Sequence, residues 1–69
     1  MENLGIKLKE LRKERGMTCQ DMATAIGLTK NAITNYELGI REPSLAILKS
    51  ICDLFDVSAD YLIGRSESY

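Results

Sequence analysis

Apolar residues recur at helical spacing along the chain, and this pattern predicts five short helices. The first covers residues 3–14, and its apolar side chains share one helical face at Leu4, Leu8 and Leu11. Asn3 is suited to cap its N-terminus, and Gly16 can end it in a left-handed conformation. No segment shows the alternation of apolar and polar positions that is typical of a strand.

The second and third predicted helices are short and lie close together in the sequence. The second begins after Thr18, a favoured N-cap residue, and stops at Gly27. The third begins after Thr29, runs to Leu38 and is followed by Gly39. Their predicted inward positions are Met22, Ala23 and Ile26 in the second helix, and Ile33 and Tyr36 in the third.

The last two predicted helices follow a loop that contains Pro43. Ser44 is suited to cap the fourth helix, whose apolar stripe consists of Leu45, Leu48, Ile51, Cys52 and Phe55. Ser58 is suited to cap a short fifth helix that holds Tyr61, Leu62 and Ile63 and stops at Gly64. The pattern predicts an all-α fold with five short helices in a compact bundle. It also predicts a single domain over residues 1–69, with a core at about 3–64 and a tail at 65–69.

The turn Gly27-Leu28-Thr29 between two short helices is typical of a helix-turn-helix motif. The small side chain of Ala23 would let the two helices cross closely, and Gly27 can adopt a positive φ. This geometry leaves one polar face of the third helix open, with Lys30, Asn31, Thr34 and Asn35 on it. Asn can pair with adenine, Lys with guanine and the Thr methyl with thymine, so this face is a candidate for reading DNA.

The net charge of −1 taken alone argues against a nucleic-acid binder, because such domains are often strongly basic. The distribution of charge changes this picture. Residues 1–41 hold seven basic and five acidic side chains, whereas residues 42–69 hold two basic and five acidic ones. The N-terminal part is therefore the positive one, and local fields matter more than the total charge.

The composition disfavours catalysis and metal binding. The chain has no histidine, and its two cysteines, Cys19 and Cys52, form no C-x-x-C pair. We therefore expect no enzyme, no metal, no cofactor and no small-molecule ligand. No apolar run approaches the roughly 20 residues that span a bilayer, and the N-terminus lacks the apolar region of a signal peptide, so we expect a cytoplasmic protein without membrane contact.

The segment from Thr18 to Leu38, with Ala23, Gly27 and Ile33 in register, resembles the phage repressor/Cro-like (XRE-type) helix-turn-helix family. The similarity extends to IKLKELRKERGMT and YELGIREPSLAILKSICDLFDVSADYLIG, so it covers residues 4–64. The resemblance implies a lambda-repressor-like DNA-binding domain.

The resemblance also implies roles for individual residues. The base-reading positions fall on Lys30, Asn31 and Asn35, with Thr34 nearby. The phosphate-contacting positions fall at Thr18, Cys19, Gln20 and Thr29, and in the loop from Leu38 to Arg41. An arginine and a glutamate that the family often pairs correspond to Arg12 and Glu37. The sequence departs from the family at Cys19, Leu38 and Ile40, where glutamine, asparagine and lysine are common.

Several residues also have a purely structural interpretation. The polar face of the third helix could simply be solvated. Its position in the helix-turn-helix pattern of the family favours contact with DNA instead. Cys19 is either a tolerated substitution or a redox-sensing thiol, since a helix N-terminus lowers a thiol pKa. Cys52 and Leu62 are expected in the core. For Leu54, Tyr61, Ile63 and Tyr69, both a core position and a position in an exposed apolar patch remain open. A solvated face is expected at Lys7, Lys9, Lys13 and Arg15, with Arg15 able to approach phosphate.

The sequence thus predicts a sequence-specific double-stranded DNA-binding transcriptional regulator, more often a repressor than an activator because 69 residues leave little room for another domain. Its third helix would enter the major groove, and two copies would read a palindrome as a homodimer, at least on DNA. The alternative is a protein-interaction module of the same fold, such as an antitoxin or an anti-repressor partner.

Overall fold

The computed structural model describes residues 3–64, and this part of the chain is all helical. The five helices are α1 (Leu4–Glu14), α2 (Cys19–Ile26), α3 (Lys30–Leu38), α4 (Leu45–Phe55) and α5 (Ala59–Leu62). This order confirms the all-α fold predicted from the apolar periodicity. The predicted tail at 65–69, including Tyr69, lies outside the described residues. Within residues 3–64, no helix is long and apolar enough to cross a membrane.

Four of the five helices begin at a hydroxyl side chain that caps the backbone. The side chains of Thr18, Thr29, Ser44 and Ser58 each accept a hydrogen bond from the backbone N–H three residues later. The prediction that the side chain of Asn3 caps α1 is wrong. Asn3 adopts a left-handed conformation with φ 60°, and its side chain makes no capping bond. Its carbonyl still accepts the first bond of α1, from the N–H of Lys7 at 3.0 Å.

The core collects apolar residues from all five helices, but Leu45, predicted on the stripe of the fourth helix, is exposed. Its buried members are Leu4, Leu8, Leu11, Met22, Ala23, Ile33, Leu48, Ile51, Phe55, Val57 and Leu62. Helix α3 packs against α1 and α2, while α4 packs against α2 and α5. The core therefore lies between the α1–α3 pair and α4, with α2 contacting both α3 and α4.

The expected positions of some C-terminal residues need correction. Cys52 is half-buried at the edge of the core rather than inside it. Leu54, Tyr61 and Ile63 also pack partly against the core, so they do not form an exposed patch. The strongly exposed large apolar side chains lie elsewhere, at Ile6, Leu38, Ile40 and Leu45.

Two of the four basic residues expected on a solvated face, Lys7 and Arg15, bond to the ends of other helices. Lys7 Nζ donates to the carbonyl of Tyr61 at 2.7 Å and lies 5.0 Å from its ring centroid. Arg15 Nη2 donates to the carbonyl of Phe55 at 2.8 Å and stacks over that ring. The last carbonyls of a helix lack partners within it and carry partial negative charge, so cations bind there. Lys9 and Lys13 are exposed.

Gly5 marks the closest approach between α1 and α3. A Cβ atom built on Gly5 would stand 2.7 Å from the carbonyl oxygen of Tyr36 and still nearer to that of Glu37. Both obstacles are backbone atoms at the C-terminal end of α3. The missing side chain therefore lets the start of α1 lie directly against the end of α3.

We expect Gly5→Ala to destabilise the fold by about 1–2 kcal/mol. Alanine favours a helix by about 1 kcal/mol over glycine, but forcing a methyl group against backbone costs about 1–3 kcal/mol or more, and here two carbonyls block it. Urea unfolding measures the difference. Ile6→Ala, at an exposed neighbour, is the control and should stay within about 0.5 kcal/mol of the unsubstituted chain. Unchanged or increased stability of Gly5→Ala would contradict the close approach.

Candidate nucleic-acid interface

Helices α2 and α3 form the two arms of a helix-turn-helix. Helix α2 starts with a capping box, in which Thr18 Oγ1 accepts from the N–H of Asp21 at 3.0 Å and the carboxylate of Asp21 accepts from the N–H of Thr18 at 2.9 Å. Reciprocal bonds of this kind satisfy two N–H groups that the helix itself leaves without partners. They fix the start of α2 while leaving its first turn at the surface.

The turn between the two helices is set by Gly27 and Leu28. Gly27 has φ 73°, in the left-handed region that glycine adopts without steric cost. This bend allows the N–H of Leu28 to donate to the carbonyl of Ala23 at 2.8 Å, which closes the end of α2. Ala23 and Ile33 are fully buried on the facing sides of the two helices. The small residue thus sits where the helices pack, as predicted.

Helix α3 ends by the same device. Gly39 has φ 77°, and the carbonyl of Asn35 accepts from the N–H groups of Ile40 at 3.0 Å and Arg41 at 3.3 Å. These bonds hold the following loop against the last turn of α3. As a result, the exposed Arg41 is attached to the same rigid element as the polar face of α3.

Arg12 of α1 and Glu37 of α3 form a bidentate ion pair. Arg12 Nε donates to Glu37 Oε2 at 2.7 Å and Nη2 donates to Oε1 at 3.1 Å, while Nη1 donates to the carbonyl of Met17 at 2.8 Å. The side chains are only 11% and 8% exposed. The structure thus brings together the two residues that the family resemblance pairs. Through the bond to Met17, Arg12 also holds the turn between α1 and α2.

The surroundings of Arg12 favour its charged form. The hydrogen bond to Glu37 raises the pKa of Arg12, and the carboxylate charge raises it further, against the opposing effect of burial. Two parallel N–H···O bonds fix direction as well as distance. The pair therefore sets the angle of the C-terminal half of α3 relative to α1.

The polar face of α3 is open. Lys30 and Asn31 are exposed in its first turn, and Thr34 and Asn35 are half-buried one turn later. Thr34 Oγ1 donates to the carbonyl of Lys30 at 3.1 Å, so its hydroxyl hydrogen is used within the helix. Within residues 3–64, the ammonium of Lys30 and the side-chain amides of Asn31 and Asn35 make no hydrogen bond. Their hydrogen-bonding groups are available to a ligand.

The residues of the predicted phosphate set lie at three places around this face. Thr18 and Gln20 are exposed at the start of α2, Thr29 is exposed at the start of α3, and Arg41 is exposed in the loop after α3. Gln20 Nε2 bonds to Thr24 Oγ1 at 3.2 Å, which holds the amide along α2. The helix N-termini add backbone N–H groups that favour anions.

Cys19 differs from the rest of this set. Its thiol is half-buried and lies 4.0 Å from Glu37 Oε2, facing the ion pair rather than the outer surface. The thiol of Cys19 thus contacts the ion pair, and the phosphate contact at this position stays a prediction. Sequence reasoning missed this inward contact because it depends on how α3 packs beside α2.

Residues 8–62 match the family model described as helix-turn-helix, and the chain belongs to this family. The match confirms the resemblance to the phage repressor/Cro-like (XRE-type) regulators. Among curated relatives, the chain is 48% identical over 56 residues to the uncharacterized HTH-type transcriptional regulator YqaE of Bacillus subtilis, covering 81% of this chain and 48% of that protein. It is 41% identical over 61 residues to the HTH-type transcriptional regulator AnsR of the same organism, covering 88% of this chain and 53% of AnsR.

The chain thus spans about half the length of these relatives. A more distant relative bears on the alternative function: antitoxin PezA of Streptococcus pneumoniae is 30% identical over 64 residues, which cover 93% of this chain and 40% of PezA.

Solved structures give the same fold. The P22 c2 repressor, in complex with a synthetic operator, aligns with a TM-score of 0.88 at 21% identity over 96% of this chain and 100% of that one. At this identity the likeness concerns the fold alone. SinR in complex with DNA aligns with a TM-score of 0.80 at 28% identity, over 87% of this chain and 97% of that one.

We expect Glu37→Ala to destabilise the fold by about 3 kcal/mol, because it leaves the guanidinium of Arg12 largely buried without its counter-charge. Thermal unfolding measures the loss, which for a domain of this size exceeds about 10 °C. Glu10→Ala removes an exposed carboxylate from α1 and should change stability little.

A double replacement, Arg12→Leu with Glu37→Leu, separates burial from pairing. Removing both charges should recover much of the stability that Glu37→Ala loses, since no unpaired charge remains. A melting temperature of Glu37→Ala within a degree of the unsubstituted chain would contradict a structural role for the pair.

Acid should weaken the start of α2. The carboxylate of Asp21 is hydrogen-bonded to Thr18, and the bond from the Thr18 backbone N–H contributes most. These bonds lower the pKa of Asp21. A carboxyl group with a lowered folded-state pKa stabilises the fold above its ordinary pKa of about 4, and this contribution is lost as the pH falls through the lower folded value. At pH 7 we expect the unsubstituted chain to melt at a higher temperature than Asp21→Asn. The two melting temperatures should converge once the pH falls below the folded-state pKa of Asp21. A difference that stays constant down to acid pH would argue against this titration.

Proposed function

We propose that this chain is a sequence-specific double-stranded DNA-binding module of a transcriptional repressor and that it acts in the cytoplasm. Helix α3 enters the major groove, where its first two turns meet the base edges. Lys30, Asn31 and Asn35 donate to or accept from bases, and the Thr34 methyl group contacts thymine.

One observation carries this proposal. A short helix is held rigidly from behind by Arg12 and Gly5, while the amides of Asn31 and Asn35 on its outer side have no hydrogen-bond partner among residues 3–64. A polar face that is both fixed and unsatisfied suits a ligand with an ordered set of donors and acceptors. The major groove presents such a set, and each base pair presents a different one.

The phosphate contacts fix the position of the module on the duplex without reading sequence. The hydroxyls of Thr18 and Thr29 accept from their own helices, and their hydrogens can donate to phosphate oxygens. Arg41 supplies a full positive charge in the loop after α3. Leu38 and Ile40, 68% exposed each, supply none there. Fewer charged contacts predict a modest dependence of affinity on salt.

A single α3 reads only a few base pairs, so specificity requires a second copy. We infer a homodimer on a palindromic operator whose half-sites are about 34–36 Å apart. A dimer that covers such a site blocks other proteins from the same DNA, which is the simplest mode of repression.

The antitoxin alternative has a specific support, the similarity to PezA. In that case the same fold would bind a protein partner, and fold does not decide between the two. Replacing Asn31 and Asn35 by alanine distinguishes them. If DNA binding is lost and partner binding is retained, the partner binds a surface other than the α3 face, as the interaction-module alternative predicts.

The decisive experiment is a selection of bound sequences from random duplex DNA at a stated salt concentration. We expect enrichment of a palindrome with the half-site spacing given above. Recovery of no preferred sequence would overturn sequence-specific binding.

The selected duplex then tests individual residues. We expect Asn31→Ala and Asn35→Ala each to weaken binding by about 1–3 kcal/mol and to relax preference at one base pair, with non-specific binding unchanged. Lys30→Ala should weaken specific binding, whereas Lys9→Ala, at an exposed lysine of α1, is the matched control. Arg41→Ala should weaken binding to all sequences alike and reduce the salt slope by about 1. Equal effects of Lys30→Ala and Lys9→Ala would contradict the assignment of the α3 face.

A further inference from the structure

The polar face of α3 continues into an apolar residue at the last position of the helix. Leu38 ends α3 and lies seven positions after Asn31 and three after Asn35. Residues at these spacings lie on one side of an α-helix. Leu38 therefore forms the C-terminal end of the same face that holds the candidate base-reading residues.

The fold itself leaves Leu38 largely uncovered. Its side chain is 68% exposed, and it lines a concavity of about 260 Å³ together with Ile6, which is also exposed. A single exposed leucine is common on protein surfaces. A leucine at the end of a face that meets a ligand is different, because the ligand removes its apolar surface from water and binding gains free energy.

The backbone on both sides of Leu38 is held in place. Glu37, directly before it, accepts two bonds from Arg12. Gly39, directly after it, has φ 77° and donates its N–H to the carbonyl of Tyr36 at 3.2 Å. The position of the leucine is therefore fixed before DNA binds, and only the freedom of its side chain is lost on contact.

The length of α3 places Leu38 at the wall of the major groove. At a rise of about 1.5 Å per residue, Leu38 lies about 10.5 Å along the helix axis from Asn31. The major groove is about 8.5 Å deep and about 12 Å wide. When the N-terminal turn of the helix meets the base edges, a side chain farther along than the groove is deep lies beside the sugar-phosphate backbone. The deoxyribose rings present C–H groups there, which suit an apolar side chain.

We propose that Leu38 packs against a deoxyribose of the DNA backbone and adds affinity without neutralising a phosphate. The proposal rests on the proposed function for the docking of α3 in the major groove. The contact differs in chemistry from the polar one that an asparagine, common in the family at this position, would make. It releases no counterion, so its contribution does not depend on salt. It carries no sequence information, because every nucleotide has the same sugar.

The dependence of affinity on salt tests this contact. The probe is the duplex that the selection from random DNA returns, labelled with fluorescein and titrated between about 50 and 200 mM KCl. We expect Leu38→Ala to weaken binding roughly fivefold to tenfold at every salt concentration and to leave the salt slope unchanged. Arg41→Ala, by contrast, should reduce that slope by about 1. An unchanged affinity of Leu38→Ala, or a salt slope reduced as in Arg41→Ala, overturns the proposal.

Two further variants show that the loss comes from apolar contact with DNA. Ile6→Ala is the matched control, because Ile6 is 59% exposed and lines the same concavity but lies on α1, outside the face of α3. It should change affinity by less than about twofold. Leu38→Met keeps the apolar volume and should retain most of the affinity. Equal losses in Leu38→Met and Leu38→Ala, or in Ile6→Ala and Leu38→Ala, contradict the contact.

Calorimetric titration gives a readout that a loss of folding stability would not produce. Burial of apolar surface makes the heat-capacity change of binding more negative. Leu38→Ala should therefore bind with a less negative heat-capacity change, while its melting temperature without DNA stays that of the unsubstituted chain, since alanine is a strong helix former and the position is exposed. A weaker affinity with an unchanged heat-capacity change overturns apolar contact.

Duplexes in which deoxyuridine replaces one thymine at a time distinguish the sugar from a base methyl group. Contact with the sugar predicts that Leu38→Ala weakens binding to every modified duplex by the same factor. If one replacement abolishes the effect of Leu38→Ala, the leucine contacts that thymine methyl and the sugar assignment is wrong. If the unsubstituted chain and Leu38→Ala bind equally well, the inference fails and the DNA function stands. If no duplex is bound at any salt concentration, the DNA function fails and the inference fails with it.

Discussion

The position of α3 relative to α1 is the constraint on which the rest of the structure depends. A helix of nine residues cannot hold its own orientation, because short helices gain most of their stability from tertiary packing. Two devices supply that packing at its C-terminal half. Gly5 lets the backbones of α1 and α3 touch, and the two parallel bonds from Arg12 to Glu37 fix the rotation. Ile33 and Ala23 anchor the N-terminal half through the core.

The distribution of positive charge has a structural as well as a functional side. Of the seven basic residues before residue 42, Lys7, Arg12 and Arg15 donate to groups of the fold itself. Lys7 and Arg15 hold the ends of α5 and α4 against α1. Fewer of these positive side chains are thus free for a ligand than the composition suggests. Any DNA contact must draw on Lys30, Arg41 and backbone N–H groups more than on a broad basic surface.

Within residues 3–64, the strongly exposed large apolar residues lie at three places: Ile6 in α1, Leu38 and Ile40 around the end of α3, and Leu45 in α4. Leu38 at the end of α3 and Ile40 shortly after it offer no charge to a phosphate group. Leu45, in the first turn of α4, lines a concave apolar surface that continues to the start of α5.

The sequence alone determined the helices, their order and most of the core, because hydroxyl caps, glycine ends and 3.6-residue periodicity are local signals that this packing does not override. It also determined which four residues lie on the open face of α3, since the helical register fixes that face. Other features depended on long-range contacts that no local pattern encodes. The bonds of Lys7 and Arg15 to distant helix ends, the inward thiol of Cys19 and the close approach at Gly5 each join residues at least 18 positions apart. Only the tertiary structure decided them, because the partner atoms meet when α1 packs against the ends of α3, α4 and α5 and when α2 packs beside α3.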